Sequence, residues 1–312
     1  MFPVPEAGHG MILARILSGL GNQLFQYANA RAESLRRKSE LKLDISWFDK
    51  NQREVRAPRS FQLKRFPKLK FKIAEPDECR EWGDIDEFGL SLPGKIQRGI
   101  HLAVRKVFPK KTVVTESVPV ALRPAGNIYF DGYFQSEAFF ADFRDRIRQD
   151  LTLPEPEKER NRELAAKLQQ IDRSVCLHVR RGDYVSSPAD AAVFGGICTV
   201  EYYVRALYEL SRRLRDFQLV VFSDEPEWAV RNLPLASGSI VVDWNGSGDA
   251  SFEDLILMSK CRHHLIANSS FSWWGAYLAW HEDQLVIAPR LWKRNFPSSK
   301  VVPEHWIILE NR

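Results

Sequence analysis

The chain has 312 residues, 44% hydrophobic and 27% charged, so it is long enough to bury a sizeable core and too apolar to be a disordered protein. We expect two domains at this length. The net charge of +5 is compatible with an anionic ligand or an acidic membrane surface. The chain does not have the concentrated basic segments expected of a nucleic-acid-binding protein.

Four cysteines are scattered along the chain, with no CxxC pair and no metal-ligand spacing. We interpret Cys176 and Cys261, which lie in apolar segments, as small core residues, and this favours a reducing compartment. Residues 1–10 have neither the basic start nor the apolar stretch of a signal peptide, and no window reaches the length of a membrane span. We therefore expect a cytoplasmic protein with at most peripheral attachment to the inner face of the membrane.

The first half of the chain predicts a parallel α/β unit. Residues 11–17 read as a strand, 18–21 as a glycine turn and 22–38 as an amphipathic helix. Further elements are expected as strands at 41–45, 69–74 and 127–134 and as a helix at 136–151. Residues 75–126 are charged and interrupted by prolines, and they give no clear pattern.

The second half alternates strands with helices more cleanly. Strands are predicted at 174–179, 218–222, 239–242, 264–267 and 284–288, and helices at 200–214, 226–232, 251–261 and 270–280, the first behind a Thr199 cap. This alternation indicates a doubly wound parallel sheet. With a Pro-Glu-Pro linker at 154–156, we expect two Rossmann-like domains, 1–155 and 156–312, facing a central cleft.

Charged side chains stand at the end of the strand at 174–179. His178 is followed by Arg180, Arg181 and Asp183. Arginine is always charged, and its planar fork matches phosphate oxygens bidentately. Parallel sheets bind ligands outside the carboxyl ends of their strands, so we interpret the arginine pair as an anion site. The alternative is a surface ion-pair cluster with Asp183.

Three other segments carry polar groups at strand ends or helix starts. The glycine turn before Asn22 allows a ligand to approach the backbone, although a tight turn with an asparagine cap looks the same. Asp254 can accept two parallel hydrogen bonds from guanine, and the pattern alone favours a capping box with Ser251. The run from Asn268 to Gly275 places an amide and hydroxyls at a strand-to-helix turn, where they can bind phosphate and sugar oxygens.

Several common catalytic motifs are missing, namely GxxxxGK[ST], HExxH and GxSxG. We predict no bound metal and no cofactor. A diphosphate leaving group would then be stabilised by fixed positive charge and helix N-termini, a role that suits the two arginines.

Five motifs occur together in this chain, at residues 19–28, 131–135, 178–184, 222–224 and 268–276. In combination they strongly resemble the bacterial α-1,2-fucosyltransferases of glycosyltransferase family 11. The resemblance implies a GT-B fold and metal-independent, inverting transfer of fucose from GDP-fucose to the 2-hydroxyl of a galactose. The acceptor would be a galactose-containing oligosaccharide or a lipid-linked glycan.

The resemblance also implies roles for particular residues. Arg180 would hold the β-phosphate, His178 and Asp254 would contact guanine, and Asn22 would face the fucose or the acceptor. The catalytic candidates are Arg180, Arg181 and Asp183. The substrate-binding candidates are Gly21, Asn22, Gln23, His178, Ser223, Asp224, Asp254, Asn268, Ser269, Ser270 and Phe271.

Three points stay open at this level. Asp183 is a candidate general base, with orientation of Arg181 or capping of its loop as the alternatives, and a reaction without a dedicated base is a further one. The donor could be a different sugar nucleotide. The chain could also be a noncatalytic GDP-sugar-binding protein that keeps the fold.

Overall fold

The computed structural model describes residues 10–50, 59–80, 82, 111–246 and 248–309. The chain divides into two compact units. The first runs to Lys64 and resumes over Lys68–Asp150, and the second comprises Arg65–Pro67 and Leu151–Arg312. The sequence placed the division a few residues later, at 155.

The first unit is a parallel sheet with helices. Its elements are β1 (Ile12–Arg15), α1 (Leu20–Arg37), β2 (Leu41–Asp44), α2 (Ser46–Lys50), β3 (Lys72–Ile73), α3 (Pro76–Arg80), β4 (Lys111–Val114), β5 (Asn127–Phe130) and α4 (Arg144–Asp150). The strand order is β3-β2-β1-β5-β4, and every pairing is parallel. The chain therefore reverses its direction of travel across the sheet between β1 and β5, which are neighbours.

Two predicted elements of this unit are wrong in extent. The strand predicted at 127–134 ends at Phe130, because the following residues leave the extended conformation and Phe134 has a φ of +50°. The helix predicted at 136–151 is replaced by two 3₁₀ turns, Glu137–Phe139 and Ala141–Phe143, before α4 begins. Phe140, with φ −139° and ψ 12°, separates the two turns and prevents a continuous helix.

The second unit contains the longer parallel sheet. Its elements are α5 (Glu159–Gln169), β6 (Ser174–Val179), α6 (Gly182–Ser186), α7 (Pro188–Phe194), α8 (Val200–Arg213), β7 (Gln218–Ser223), α9 (Pro226–Asn232), β8 (Ile240–Val242), α10 (Phe252–Ser259), β9 (His263–Leu265), α11 (Ser270–Leu278), β10 (Val286–Pro289), the hairpin β11 (Leu291–Lys293) and β12 (Phe296–Pro297), and β13 (Ile307–Leu309). The five predicted strands are all present, and Thr199 caps α8 by accepting a hydrogen bond from Tyr202 N. The sequence reading missed α6, α7, the hairpin and β13.

The strand order of this sheet fixes where a ligand can bind. The order is β13-β10-β9-β6-β7-β8, and all pairings are parallel. The chain moves from β6 to β7 and β8, then returns to place β9 on the other side of β6. The loops after β6 and β9 therefore diverge, which is the switch point where doubly wound sheets bind ligands. The predicted α/β class is confirmed.

The core of the second unit lies on both faces of β6. Val175, Leu177 and Val179 pack on one face with α8, and Cys176 packs on the other with α5 and α10. Both layers exclude water completely at the centre of the strand. None of the four cysteines forms a disulfide bond within the described residues. No helix in the described ranges is long and apolar enough to cross a membrane.

Candidate active site

The predicted phosphate site lies at the switch point of the second sheet. Arg180 and Arg181 follow β6 directly, and Asn268, Ser269 and Ser270 follow β9. These strands are hydrogen-bonded neighbours, with Leu177 opposite Leu265. The topology thus brings together two motifs that are almost ninety residues apart in the sequence.

Arg180 is held between two carboxylates. Its Nη1 lies 2.9 Å from Oδ2 of Asp224, and its Nη2 donates to Oδ1 of Asp183. Tyr184 adds the face of its ring, 5.4 Å from the guanidinium carbon. Burial opposes the charge, but the two carboxylates outweigh it and hold the pKa of Arg180 above its ordinary value. The side chain is one-quarter exposed, so the cation is oriented and still accessible.

Gly182 allows Asp224 to come this close. A Cβ at position 182 would lie 2.5 Å from Oδ2 of Asp224, a distance that carbon and oxygen do not adopt. Oδ1 of the same carboxylate accepts the backbone N–H of Arg181 at 2.9 Å. Ser223, the last residue of β7, accepts the N–H of Glu225 on its Oγ. The Arg-Arg-Gly-Asp sequence and the Ser-Asp-Glu sequence are therefore built to fit each other.

Arg181 has partners different from those of Arg180. Its Nε donates to Oε2 of Glu225 at 2.9 Å, and its guanidinium lies 3.9 Å from the ring centre of Trp228. Glu225 and Trp228 both belong to the start of α9, so Arg181 fastens the loop after β6 to the loop after β7. Its side chain remains about one-quarter exposed.

Asp183 pairs with Arg180, and the Arg181 guanidinium pairs with Glu225. Oδ1 of Asp183 accepts a hydrogen bond from Nη2 of Arg180. Its side chain is 37% exposed. Within the described residues it contributes most directly to the orientation of Arg180.

His178 lies at the end of β6 with its ring buried. Burial, together with the charge of Arg180, lowers the pKa of His178 to about 3, so the ring is neutral at physiological pH. Its Nδ1 is buried and has no hydrogen-bond partner in the described part of the chain. The ring centre is 6.1 Å from that of Phe271, the second residue of α11. A buried ring nitrogen without a partner is uncommon and suggests that a ligand completes it.

The N-terminus of α11 has no side-chain cap. Ser269 is the N-cap residue with φ −135° and ψ 124°, yet its hydroxyl accepts no cap hydrogen bond. Helix geometry leaves the N–H groups of the first turn without carbonyl partners, and the helix dipole favours an anion there. The hydroxyls of Ser269 and Ser270 make no hydrogen bond within the described residues. This end of α11 therefore offers several donors to a phosphate.

Asn268 differs from the serines because its side chain is fully engaged. The amide nitrogen donates to the carbonyls of Phe194 and Trp292 at 3.2 Å, and the amide oxygen accepts from the Cys198 thiol. Its backbone carbonyl accepts the hydroxyl of Tyr184 at 3.2 Å. Asn268 thus holds the loop after β9 in place beside the arginine motif.

Asp254 lies in the first turn of α10, and the capping-box alternative is not realised. Ser251 has a helical φ of −64° and ψ of −9° because it is the last residue of the 3₁₀ turn Gly248–Ser251. Its hydroxyl donates to Gly248 O instead of capping α10. Oδ1 of Asp254 accepts the side-chain amide of Asn245 at 2.7 Å. Burial raises the pKa of Asp254 to about 7, while Asn245 and Lys158 act in the opposite direction.

A buried amide network supports Asp254, and the sequence reading missed it. Asn161 donates to Oδ1 of Asn245 at 2.7 Å and to Oε2 of Glu253 at 2.6 Å, and it accepts the indole N–H of Trp244 at 2.7 Å. Asn161 is completely buried and Asn245 is 5% exposed. No local pattern connects a helix residue with a loop more than eighty positions away, so the sequence offered no signal.

The three remaining candidates lie in the first unit, at the start of α1. Gly21 is buried in the first turn of the helix. Asn22 donates from Nδ2 to Ser18 Oγ at 3.0 Å and accepts from Gln135 Nε2 at 2.6 Å. Gln23 is fully buried and bonds the backbone on both sides, at Ser18 and over residues 60–62. Gln23 therefore holds the glycine turn in place, and Asn22 is the partly exposed polar residue of this turn.

Comparison with known proteins decides the family. The family described as glycosyl transferase family 11 matches residues 111–310. An α-1,2-colitosyltransferase of Escherichia coli is 32% identical, over 96% of this chain and 99% of its own length. The chain belongs to glycosyltransferase family 11.

Other similarities agree with this membership. The O-antigen biosynthesis glycosyltransferase WbnK of Escherichia coli is 31% identical over 93% of the family 11 chain and 98% of its own. A galactoside α-(1,2)-fucosyltransferase of Oryctolagus cuniculus is 28% identical over 48% of this chain and 42% of its own. The chain is thus a glycosyltransferase by family.

One solved structure shows the fold. The α-1,6-fucosyltransferase NodZ, in a crystal soaked with GDP-fucose, superposes with a TM-score of 0.50 over 87% of this chain and 93% of its own. The two sequences are 14% identical, so the likeness concerns architecture alone. The predicted fold of two Rossmann-like domains of the GT-B type is confirmed.

Proposed function

We propose that this protein transfers L-fucose from GDP-fucose to the 2-hydroxyl of a galactose in a glycan, with inversion at the anomeric carbon. The observation that carries the proposal is the pair formed by Arg180 and the uncapped N-terminus of α11 at one switch point. A diphosphate needs several donors and a fixed cation at close quarters, and this loop pair supplies both.

The guanine end of the donor would meet His178 and Asp254. A carboxylate accepts two parallel hydrogen bonds from the N1–H and N2–H of guanine, and a neutral imidazole nitrogen can accept a third. The buried Nδ1 of His178 and the networked carboxylate of Asp254 support this assignment. Both lie in the second unit, which we assign to the donor, and we assign the first unit to the acceptor.

The chemical step would be a direct displacement. The acceptor oxygen forms a bond to the anomeric carbon of fucose as the bond from that carbon to the β-phosphate oxygen breaks. The hydroxyl proton leaves to a base or to solvent, and GDP departs with the bonding electron pair. Arg180 and the donors of α11 would stabilise the charge that develops on GDP. Arg181 would hold the loop that carries Arg180.

The fixed cation supports a reaction without a metal ion, and this too is a proposal. The sequence contains Asp84-Ile85-Asp86, a pattern that holds a metal in some sugar-nucleotide enzymes and lies outside the described residues. The test is therefore direct. Transfer in excess EDTA should equal transfer in Mg²⁺ or Mn²⁺, and loss of turnover in EDTA, restored by either ion, would contradict the proposal.

A donor carrying colitose is the second candidate, because a full-length relative is an α-1,2-colitosyltransferase. Colitose is fucose without its 3-hydroxyl. The match to a galactoside α-(1,2)-fucosyltransferase, together with the sequence motifs, supports fucose as the first choice. Assays with the two GDP-linked sugars in parallel would rank them by kcat/KM.

The experiment that tests the function combines a donor and an acceptor screen. Purified protein is incubated with GDP-fucose and terminal galactosides, GDP release is measured, and the linkage of the product is read by NMR. UDP-sugars serve as the matched negative donors. GDP binding without any GDP release in the presence of galactosides would instead indicate a noncatalytic binding protein.

The acceptor class suggests where the enzyme works. The similarity to an O-antigen biosynthesis glycosyltransferase supports a lipid-linked glycan or an oligosaccharide as the acceptor. We propose a cytoplasmic enzyme that meets such an acceptor at the inner face of the membrane. Fractionation of cells, with and without a salt wash of the membranes, tests this placement.

A further inference from the structure

The switch point of the first sheet carries a cluster that none of the steps above uses. β1 and β5 are neighbouring parallel strands between which the chain reverses direction. Beyond their carboxyl ends lie the turn before α1 and the sequence Asp131-Gly132-Tyr133-Phe134-Gln135. Both strand ends bear polar side chains, as at the phosphate site of the second sheet.

The polar groups of this cluster form two sets of contacts. Nη1 of Arg15, at the end of β1, lies 3.5 Å from Oδ1 of Asp131. Gln135 donates to Asn22, and Asn22 donates to Ser18. The second N–H of the Asn22 amide has no partner among the described residues. Amides and carboxylates arranged this way are the usual partners of sugar hydroxyls.

An exposed aromatic residue belongs to the same segment. Tyr133 stands between Asp131 and Gln135 in the chain and exposes 42% of its surface, whereas the adjacent Phe134 is buried. The apolar C–H face of a galactose packs on exposed aromatic rings, because the ring supplies a flat hydrophobic surface beside polar groups.

The backbone under Tyr133 is fixed in place. Oε2 of Glu116 accepts the N–H groups of Tyr133 and Phe134 at 2.7 and 3.2 Å. Gly132 allows this approach, since a Cβ there would lie 2.5 Å from the same carboxylate oxygen. The ring is thus presented on a preorganised turn, which reduces the entropy lost on binding.

We propose that Tyr133, Asp131 and Gln135, with Asn22, form the subsite for the galactose of the acceptor. Tyr133 stacks on the sugar face, and the amides of Gln135 and Asn22, together with the carboxylate of Asp131, bind its hydroxyls. This assignment rests on the proposed function, because that function makes a galactoside the second substrate.

The kinetic test separates acceptor binding from donor binding. Tyr133→Ala and Gln135→Leu are each compared with wild type for the KM of a terminal galactoside and the KM of GDP-fucose. We expect the galactoside KM to rise tenfold or more in both variants, with the GDP-fucose KM within twofold of wild type. Tyr133→Trp keeps a ring and should restore most of the acceptor affinity.

Tyr208→Ala is the matched control, because Tyr208 is 65% exposed on α8 in the other unit. It should leave both KM values unchanged. An unchanged galactoside KM in Tyr133→Ala and Gln135→Leu, or an equal rise in the donor KM, overturns the subsite while the proposed transfer activity stands.

A binding measurement covers failure of the proposed function itself. Saturation-transfer NMR with methyl β-galactoside reports acceptor contact without any donor. If wild type shows no transfer but gives a galactoside signal that Tyr133→Ala loses, the subsite stands and the transfer activity does not. If wild type gives no signal, or a signal that the variant keeps, the subsite is overturned.

Discussion

Asn245 donates its side-chain amide to Oδ1 of Asp254 over 2.7 Å, and the same residue accepts from the buried Asn161. The proposed guanine-reading carboxylate is therefore oriented by a chain of amides. Because Asn161 also bonds Glu253, the chain of amides is anchored at two consecutive residues in the first turn of α10.

Asn245→Ala should weaken guanine recognition selectively. Without the amide, the Asp254 carboxylate is free to rotate out of the plane that two parallel base N–H groups require. IDP lacks the N2–H of guanine, so we expect the preference for GDP over IDP in the wild type to fall about tenfold in the variant, by calorimetry. Asn232→Ala, on the exposed end of α9, is the matched control. A retained preference in Asn245→Ala would argue against orientation by this network.

Arg180→Ala should abolish most turnover while the protein stays folded. Loss of a donor aimed at the developing charge of a leaving group costs about a hundredfold or more in kcat. Arg180→Lys keeps the charge but not the planar fork, so it should recover only part of the rate. Rates are compared with melting curves for each variant. Near-normal turnover of Arg180→Ala with an unchanged melting curve would remove Arg180 from the mechanism.

Gly182→Ala should disturb Asp224 and, through it, Arg180. The new methyl group would lie within 2.5 Å of Oδ2, so the carboxylate must move away from the guanidinium. We expect kcat to fall about tenfold, with a small change in melting temperature because a side-chain end can yield. The double variant with Asp224→Ala should be no slower than Asp224→Ala alone, since the two changes act on one contact. Additive losses would mean that Gly182 acts elsewhere.

The stability of the protein should depend on pH through Asp254. Burial raises the pKa of this carboxyl from 3.8 to about 7 in the folded state. Between those values the folded protein binds more protons than the unfolded chain, so this group's contribution to stability falls as pH rises. Neutral His178 contributes in the opposite sense below pH 6.5. Only the difference between wild type and Asp254→Asn therefore isolates the carboxyl.

In that comparison, the melting temperature of Asp254→Asn should rise relative to wild type as pH increases from about 4 to about 7. Lys158 and Glu253 are the charged groups that act on Asp254, and both stay in place in the variant. If the difference in melting temperature between wild type and Asp254→Asn stayed constant across this pH range, Asp254 would have an ordinary pKa.

Asp183→Asn should keep the acidic limb of the pH–rate profile. Asp183 is paired with Arg180, so we expect its carboxylate to orient the guanidinium and not to receive the acceptor proton. We expect kcat to fall because Arg180 is oriented less well, with no change in the shape of the profile. Loss of the acidic limb in Asp183→Asn would instead support Asp183 as the general base.

The sequence predicted the central strands of both sheets and the position of the arginine motif at the end of β6, because these patterns are local. A strand of buried residues followed by two arginines can be recognised from neighbouring residues alone. Thr199 likewise marks the start of α8 without reference to distant residues. The role of Asp254 was not decidable in this way. Whether Ser251 caps α10 depends on its φ and ψ, which are set by the 3₁₀ turn that ends at this residue.

Distant contacts were beyond any pattern in the sequence. Asn161 meets Asn245 only because α5 and the loop after β8 pack together, and Arg180 meets Asp224 only because β6 and β7 are paired. Asn268 looked like a ligand-binding amide in the sequence, yet its side chain is used within the protein. Such assignments need the register of the sheet and the conformation of its loops.

The two carboxylates around Arg180 should also make the site selective against simple anions. Before any substrate arrives, the guanidinium is already neutralised by Asp183 and Asp224, so the local field that would attract inorganic phosphate or sulfate is weak. Under the proposed function, a nucleotide would also be bound through its base and through its phosphates at the N-terminus of α11. Those contacts would offset the competition with the carboxylates. Free phosphate at cellular levels should consequently be a poor inhibitor of this enzyme.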